Sequence, residues 1–361
     1  MNMSTPTFDK VHLKFKLNGL HYDREELKEV AFSFVKEGEP YEQSMGDYLM
    51  DWLNNKDHLF VKTSGSTGTP KLIRINKQHM VNSAIASGDF FGITMGDTAL
   101  HCLPADFIAG KMMLVRAMVL GLEIDLVRPS LNPLQGIKKD YDFSAMIPLQ
   151  LKNSLNNINH IKKLIVGGAY VPGNLVEKIQ NIPTEVYETY GMTETVTHIA
   201  AKKLNNFNSE EEKNNIHFKL LPNIKISKDD RDCMVIDAPD ISEERIVTND
   251  IVKIISGEEF DWIGRHDNVI NSGGVKLIPE SIEAKISGAI PNRFYVTGKD
   301  DENLGKKLVL VVEGGNNNKE DIINKVKSVP ALDRYEIPKE FIFVDNFKET
   351  ENGKIIRELI Y

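Results

Sequence analysis

Apolar side chains recur at helical spacing from the start of the chain. Leu27, Val30, Ala31 and Phe34 do so between Asp23 and Lys36, and Met45, Tyr48, Leu49 and Trp52 follow ahead of Asn54-Asn55. Steps of three and four put each set on one face, so two helices are predicted. A short apolar run, His58 to Val61, ends in the hydroxyl- and glycine-rich stretch Thr63 to Lys71. Leu72 to Ile75 reads as a strand, and Asn76 as the N-cap of a helix reaching about Phe90. Then the two patterns alternate: strand His101 to Leu103, helix Met112 to Leu120, strands Glu123 to Val127 and Phe143 to Ile147, helix Gln150 to Asn156, strand Lys163 to Val166, helix Leu175 to Gln180, strand Glu185 to Tyr187. Strands separated by single helices with short connections predict parallel crossovers, hence a layered α/β sheet covered on both faces, with ligands at the strand C-termini.

The texture then changes. Lys203 to Lys213, rich in Asn, Glu and Ser, predicts a mobile surface loop. Short strand-like pieces follow (Phe218 to Leu221, Cys233 to Asp237, Arg245 to Val247, Val252 to Ile255) with turn residues between them, predicting an antiparallel β subdomain. After Gly264-Arg-His-Asp267 come strands and helices of a separate set: Pro279 to Ile286, Phe294 to Thr297, Leu308 to Val312, Glu320 to Ser328 and Glu340 to Val344. A domain boundary is expected there, giving domains 1–266 and 267–361.

A length of 361 residues agrees with two unequal domains. With 44 Lys and Arg against 52 Asp and Glu the formal net charge is −8, and no basic tract exceeds two residues. Such a chain lacks the positive charge that nucleic acid or an anionic membrane surface would require. The two cysteines, Cys102 and Cys233, are far apart in apolar settings and build neither a disulfide framework nor a thiolate zinc site, which fits a reducing cytoplasm. The N-terminal residues do not gather the apolar core of a signal peptide, and no stretch approaches the ~20 apolar residues of a membrane span.

Five sets of residues carry candidate chemistry. In Thr63-Ser64-Gly65-Ser66-Thr67-Gly68-Thr-Pro-Lys71, glycines allow close backbone approach to a polyphosphate, hydroxyls and N–H groups donate, and Lys71 adds charge. Its end, Pro70-Lys71-Leu72, departs from the common nucleotide-binding loop, and the alternative is a flexible polar turn. In Tyr187-Glu-Thr-Tyr190-Gly191-Met-Thr193-Glu194-Thr195 a ring can stack on a base, Thr193 can donate to phosphate and Glu194 can hold Mg²⁺; a strand-ending polar turn is the alternative. Gly167-Gly168-Ala169 permits close approach of a purine, as would any Gly-Gly turn before a helix. Asp250 and Arg265 offer a carboxylate and a guanidinium that could grip ribose hydroxyls; a surface ion-pair partner or a turn residue is the alternative for each. Finally Asn352-Gly-Lys354 presents a lysine near the C-terminus.

In order and separation these segments resemble the adenylate-forming enzymes: acyl-CoA synthetases, luciferases and peptide-synthetase adenylation domains. Thr63 to Lys71 resembles the family's phosphate loop and Tyr190 to Glu194 its adenine and magnesium motif. Asp250 is similar to its ribose-binding aspartate, and Arg265-x-Asp267, Ser272-Gly-Gly-Val-Lys276 and Pro279-Glu280-x-Ile-Glu283 to its hinge region. Asn352-Gly-Lys354 resembles its catalytic-lysine motif. The resemblance implies a layered α/β domain with a β subdomain and a small α+β C-terminal lid turning about Asp267. It also implies ATP, Mg²⁺ and coenzyme A, with an acyl-adenylate formed first and a thiol displacing AMP second. Lys354 would then neutralise the carboxylate and α-phosphate in the first step. Gly273 and Gly274 would border the pantetheine path.

Two departures narrow the expectation. The phosphate loop begins near residue 63, so the usual first subdomain is expected to be largely absent. That shortening, with Tyr190 to Lys202 and Thr248-Asn-Asp-Ile-Val-Lys253, is similar to the o-succinylbenzoate-CoA ligases of menaquinone synthesis. Homodimerisation is one way the shortening could be compensated, which the residues leave open. In Leu103-Pro-Ala-Asp106-Phe107, Asp106-Phe107 stands where the family places an aromatic and a histidine. An acid with a second carboxylate needs apolar walls plus a cation or donors, for which Lys111, Arg116, Thr197 and His198 are candidates. His198 packing beside the adenine strand is the alternative. Other acids, a carrier-protein thiol, and a non-catalytic ATP- or AMP-binding module are the competing readings.

Overall fold

In a computed structural model of the chain, the residues described are 6–62, 71–314, 318–349 and 355–357. They fall into two compact units, Met1–Val171 with Ile179–Lys225 and Ile236–Ile246, and Pro172–Lys178 with Ile226–Val235 and Val247–Tyr361.

In the first unit the two opening helices form as the pattern predicts. Asp23 caps Arg24–Glu37: its carboxylate accepts the Glu25 and Glu26 N–H groups, both at 2.9 Å, and Glu26 reaches back to the Asp23 N–H. Pro40–Leu53 follows and buries Met45, Tyr48, Leu49 and Trp52. His58–Lys62 and Leu72–Asn76 pair antiparallel with Lys62 opposite Leu72, and Asn76 caps the helix Lys77–Phe91 by accepting the Gln78 N–H. Nine strands lie side by side in the order Phe218–Leu220, His198–Lys203, Glu185–Gly191, Ile161–Val166, Tyr141–Met146, Thr98–His101, Glu123–Leu126, Lys16–Leu17 and Leu20–His21. Pairing is parallel from Glu185–Gly191 through to Lys16–Leu17, and antiparallel at both ends. The layered sheet is what the alternation of elements anticipates, and the mixed α/β architecture is the fold that the resemblance to adenylate-forming enzymes implies.

The differences are local. Glu210–Asn214 forms a helix inside the expected loop, because the Ser209 hydroxyl accepts the Glu212 N–H and three glutamates occupy its first turn. Two pieces read as separate strands fuse into Ile246–Ile254, since Thr248-Asn-Asp250 continues the ladder. The strands His198–Lys203, Lys225–Lys228 and Glu259–Arg265 and the Lys16–His21 hairpin are not among the elements expected from the sequence.

The second unit holds the ladder Lys225–Lys228, Cys233–Asp237, Ile246–Ile254 and Glu259–Arg265, apart from the few end residues that belong to the first unit. Its other sheet runs Val275–Leu277, Ile270–Ser272, Gly305–Glu313, Phe294–Asp301, with Glu340–Val344 parallel to Gly305–Glu313. Along Gly305–Glu313 the side chains alternate strictly. Leu308, Leu310 and Val312 join a core with Ile282, Ile286, Ile322 and Val326, while Val309 and Val311 pack with Tyr295 on the other face. Both Cys102 and Cys233 are buried free thiols.

The helix Pro279–Ile286 carries a half-buried acid. Glu283 accepts the Val296 N–H at 2.7 Å and is gripped by both arms of Arg357 at 2.7 and 2.8 Å. Burial outweighs the guanidinium and pushes this carboxyl up from 4.5 to about 7. A raised folded-state value means the native unit binds a proton that the unfolded chain releases, so its stability falls as pH rises from about 4.5 to about 7. Glu283→Gln should flatten that slope between about pH 5 and about pH 7 in urea unfolding. An unchanged slope would contradict the assignment.

Candidate active site

Of the residues singled out in the sequence, Thr63, Ser64, Gly65, Ser66, Thr67, Gly68 and Lys354 lie outside the described residues. Lys71 is exposed immediately before the strand Leu72–Asn76.

The strand Glu185–Gly191 returns as His198–Lys203 through a tight connection that holds the second motif. A side chain on Gly191 would place its Cβ 2.3 Å from the Thr197 carbonyl and 2.4 Å from His198 Cα, so only glycine lets the two backbones meet there. Thr193, Glu194 and Thr195 form one 3₁₀ turn, with Glu194 exposed and Thr195 buried. The Thr195 hydroxyl takes the Met192 N–H at 3.0 Å and lies 2.7 Å from the Thr197 carbonyl. Val196 closes the connection at φ 64°, ψ −55°, with the Thr197 N–H donating to Thr195 O at 2.6 Å. This is a γ-turn in the strained, positive-φ sense, held by a buried β-branched residue. No pattern in the sequence signals it. Below, Glu188 is buried and paired with Lys202 at 2.6 Å while accepting the Val171 N–H at 3.0 Å. Those bonds tie the loop containing exposed Gly168 and Ala169 to the strand that ends in Tyr190. A Cβ on Gly167 would stand 2.5 Å from the Thr189 hydroxyl. The Tyr190 ring meets Phe218 edge-on at 6.1 Å.

The turn delivers Thr197 and His198 to an arginine. The helix Ile108–Leu120 is buried continuously from Met112 to Val119, and Arg116 is the charged residue in that apolar run. It is 1% exposed. One terminal nitrogen, Nη2, lies 3.3 Å from Thr197 Oγ1 and 3.4 Å from His198 Nδ1. Its Nε has no partner, and among the described residues no carboxylate pairs with it. Burial lowers its pKa to about 10, which still leaves it charged near neutrality. His198 is buried against Ser87 and edge-on to Phe91 at 5.6 Å, and burial together with Arg116 holds its pKa well below 6.5. The imidazole is therefore neutral. Lys111 is not part of this cluster: its ammonium turns to the Ala105 carbonyl and lies 4.9 Å from the Tyr48 ring centroid. Phe107 stands half-buried at the N-cap of the same helix and makes no cap bond.

In the second unit, Asp250 and Arg265 face each other across the ladder, with Nη1 3.7 Å from Oδ1. Asp250 is buried, accepts the Trp262 indole N–H at 3.1 Å, and receives its backbone position from Thr248 Oγ1. Arg265 also holds Asp267 at 3.2 Å, while Asn249 donates to both Asp267 oxygens and Arg231 donates to Asn249. Asp250, Arg265 and Asp267 thus form one network. Lys276 is exposed opposite Asn271, beside the Gly273-Gly274 turn.

A family model described as AMP-binding enzyme matches residues 24–235, more than half of the chain. The chain belongs to the AMP-binding enzyme family. An acyl-CoA synthetase (AMP-forming)/AMP-acid ligase II-like protein from Dyadobacter fermentans is 36% identical, with a TM-score of 0.60 over 91% of this chain and 96% of that one. O-succinylbenzoate coenzyme A synthetase from Bacillus subtilis, solved with ATP and magnesium ion, is 20% identical with a TM-score of 0.70, over 94% of this chain and 82% of that one. The 2-succinylbenzoate–CoA ligase of Bacillus cytotoxicus is 24% identical over 332 residues, 82% of this chain and 68% of that protein. Among the described residues of this AMP-binding enzyme, no three His, Cys, Asp or Glu side chains gather as a metal cage, and no helix is long and apolar enough to cross a membrane.

A buried guanidinium without a counter-charge destabilises the fold that holds it. Arg116→Met, which keeps the stem and removes the charge, should raise stability by about 1–3 kcal/mol in denaturant unfolding. A loss of stability of similar size would mean that Arg116 holds the fold together.

Proposed function

We propose that the chain is an ATP-dependent acid–thiol ligase that converts o-succinylbenzoate to its CoA thioester. The observation that carries the substrate is Arg116. A cation buried in an apolar helix, with an orphaned Nε and only neutral partners, suits an acid that brings a second, non-reacting carboxylate into an otherwise apolar pocket. Thr197 and His198 would complete the anchor from the same turn that carries the adenine motif.

In this reading the reacting carboxylate attacks the α-phosphorus of ATP and pyrophosphate leaves; the CoA sulfur then attacks the acyl carbon and AMP leaves. Tyr190, Gly191, Gly168 and Ala169 receive the adenine, and Thr193 donates to phosphate. Asp250 and Arg265 take the ribose, Thr63 to Gly68 with Lys71 the pyrophosphate end, and Phe107 borders the acid. Glu194, an exposed carboxylate, would hold Mg²⁺, which would supply charge neutralisation when bound. Residues 267–361 act as a lid turning about Asp267, with Lys354 supplying the positive charge for adenylation and Lys276 and the Gly273-Gly274 turn serving thiol transfer. The names of the Bacillus relatives support the substrate. The D. fermentans protein, 36% identical, bears a name that specifies no acid, and this favours a ligase for another small acid as the second reading.

ATP–pyrophosphate exchange should occur with o-succinylbenzoate and not with monocarboxylic aryl or fatty acids, and CoA should then yield a thioester. Exchange with a different acid would keep the chemistry and discard the substrate. Nucleotide binding without exchange for any acid would replace the ligase by a binding module. Lys354→Ala should abolish exchange by at least about 100-fold while sparing thioester formation from supplied acyl-adenylate. Equal loss of both half-reactions would overturn the role of Lys354.

A further inference from the structure

The bonds around Arg116 have a direction. A guanidinium has donors only, so His198 Nδ1, 3.4 Å from Arg116 Nη2, must be the ring's unprotonated acceptor. The proton of the neutral ring then sits on Nε2, which lies 3.1 Å from Ser87 Oγ. Ser87 receives that proton's hydrogen bond and sends its own to the Ser83 carbonyl at 2.9 Å. The opposite order, with Ser87 donating to Nε2, would set Nδ1–H against a guanidinium N–H. Both ends of the chain therefore agree: Arg116 Nη2–H to His198 Nδ1, His198 Nε2–H to Ser87 Oγ, Ser87 Oγ–H to Ser83 O.

We infer that Ser87 and His198 are positioning residues that fix the azimuth of Arg116 and thereby set the enzyme's preference for a diacid over a monoacid. The relay rests on the reading of Arg116 as the anchor of a second carboxylate. It gives Nη2 a fixed neutral partner, which holds the guanidinium in one orientation. Neutrality matters here. An imidazolium in the same place would lose its acceptor and repel Arg116. The charged group facing the ring is Arg116, from the helix Ile108–Leu120. The neighbours from the other elements are Ser87 and Phe91 on Lys77–Phe91 and Thr197 on the turn, none of which titrates in the working range. Burial and the arginine both hold His198 below its ordinary value, in line with the geometry. The relay links three separated stretches of sequence, at 83–87, 116 and 197–198, and Ser87 is a functional candidate that no motif flagged.

The test reads the proton directly. With ring-¹⁵N histidine in the full-length free enzyme, the His198 signals are assigned by their loss in His198→Asn. They should show an Nε2–H tautomer at neutral pH, with the ring staying uncharged well below the ordinary histidine value. An Nδ1–H tautomer, or a cation at neutral pH, would overturn the relay whatever acid the enzyme uses. With o-succinylbenzoate as the probe, Ser87→Ala should mix the tautomers and raise KM for the acid about tenfold, leaving kcat and KM for ATP within about twofold. His198→Asn, whose amide oxygen can stand in for Nδ1, should recover part of the discrimination that His198→Leu loses. A Ser87→Ala enzyme with unmixed tautomer and unchanged acid KM would also overturn the inference. If the tautomer is as expected but o-succinylbenzoate neither exchanges nor binds, the relay stands and the substrate reading falls.

Discussion

The candidate site is organised around one charge that the fold buries without neutralising. In an apolar helix, a guanidinium at 1% exposure forfeits its hydration, and among the described residues it recovers two shared neutral contacts at Nη2. Elsewhere the same molecule handles buried charge differently. Glu188 is matched by Lys202 and by a backbone N–H, and half-buried Glu283 is matched by Arg357 and the Val296 N–H. Lys77, also buried, has its ammonium satisfied by the Asn54 carbonyl and side-chain oxygen, whereas the Arg116 Nε has no such acceptor among the described residues.

That exception is served by strained backbone. The connection from Gly191 to His198 has a close approach that excludes any side chain and a γ-turn at Val196, and both bring Thr197 and His198 against the arginine. Strain of order 1–3 kcal/mol is maintained only where the surroundings over-determine it. Here those surroundings are the Thr195 hydroxyl bonds and the Glu188–Lys202 pair. One turn therefore links the motif that resembles an adenine site to the pocket that would select the acid.

The elements of the fold were legible where periodicity is strong: the helices opening after Asp23 and after Asn76 follow from spacing, while Leu308 to Val312 is a continuous apolar run whose two packing faces only the structure separates. Polar, short strands such as Lys225–Lys228 were not, because their identity is set by the neighbour they pair with. The candidate site is read from the sequence as ordered motifs, and the Asp250–Arg265 pair comes from the structure. Arg116 and His198 stood among several candidates in the sequence, whereas their mutual geometry, the role of Ser87 and the turn at Val196 depend on contacts between residues far apart in the chain. A usable signal was present all the same: Arg116 is the one charge within Met112 to Leu120.

The most direct measurement is a chemical double-mutant cycle on binding. Isothermal titration of wild type and Arg116→Met with o-succinylbenzoate, and with its monoester that blocks only the ring carboxylate, isolates the coupling between that carboxylate and the guanidinium. A coupling of at least about 2 kcal/mol is predicted, with the ester binding both proteins alike. Equal weakening of diacid and ester by Arg116→Met would contradict the account.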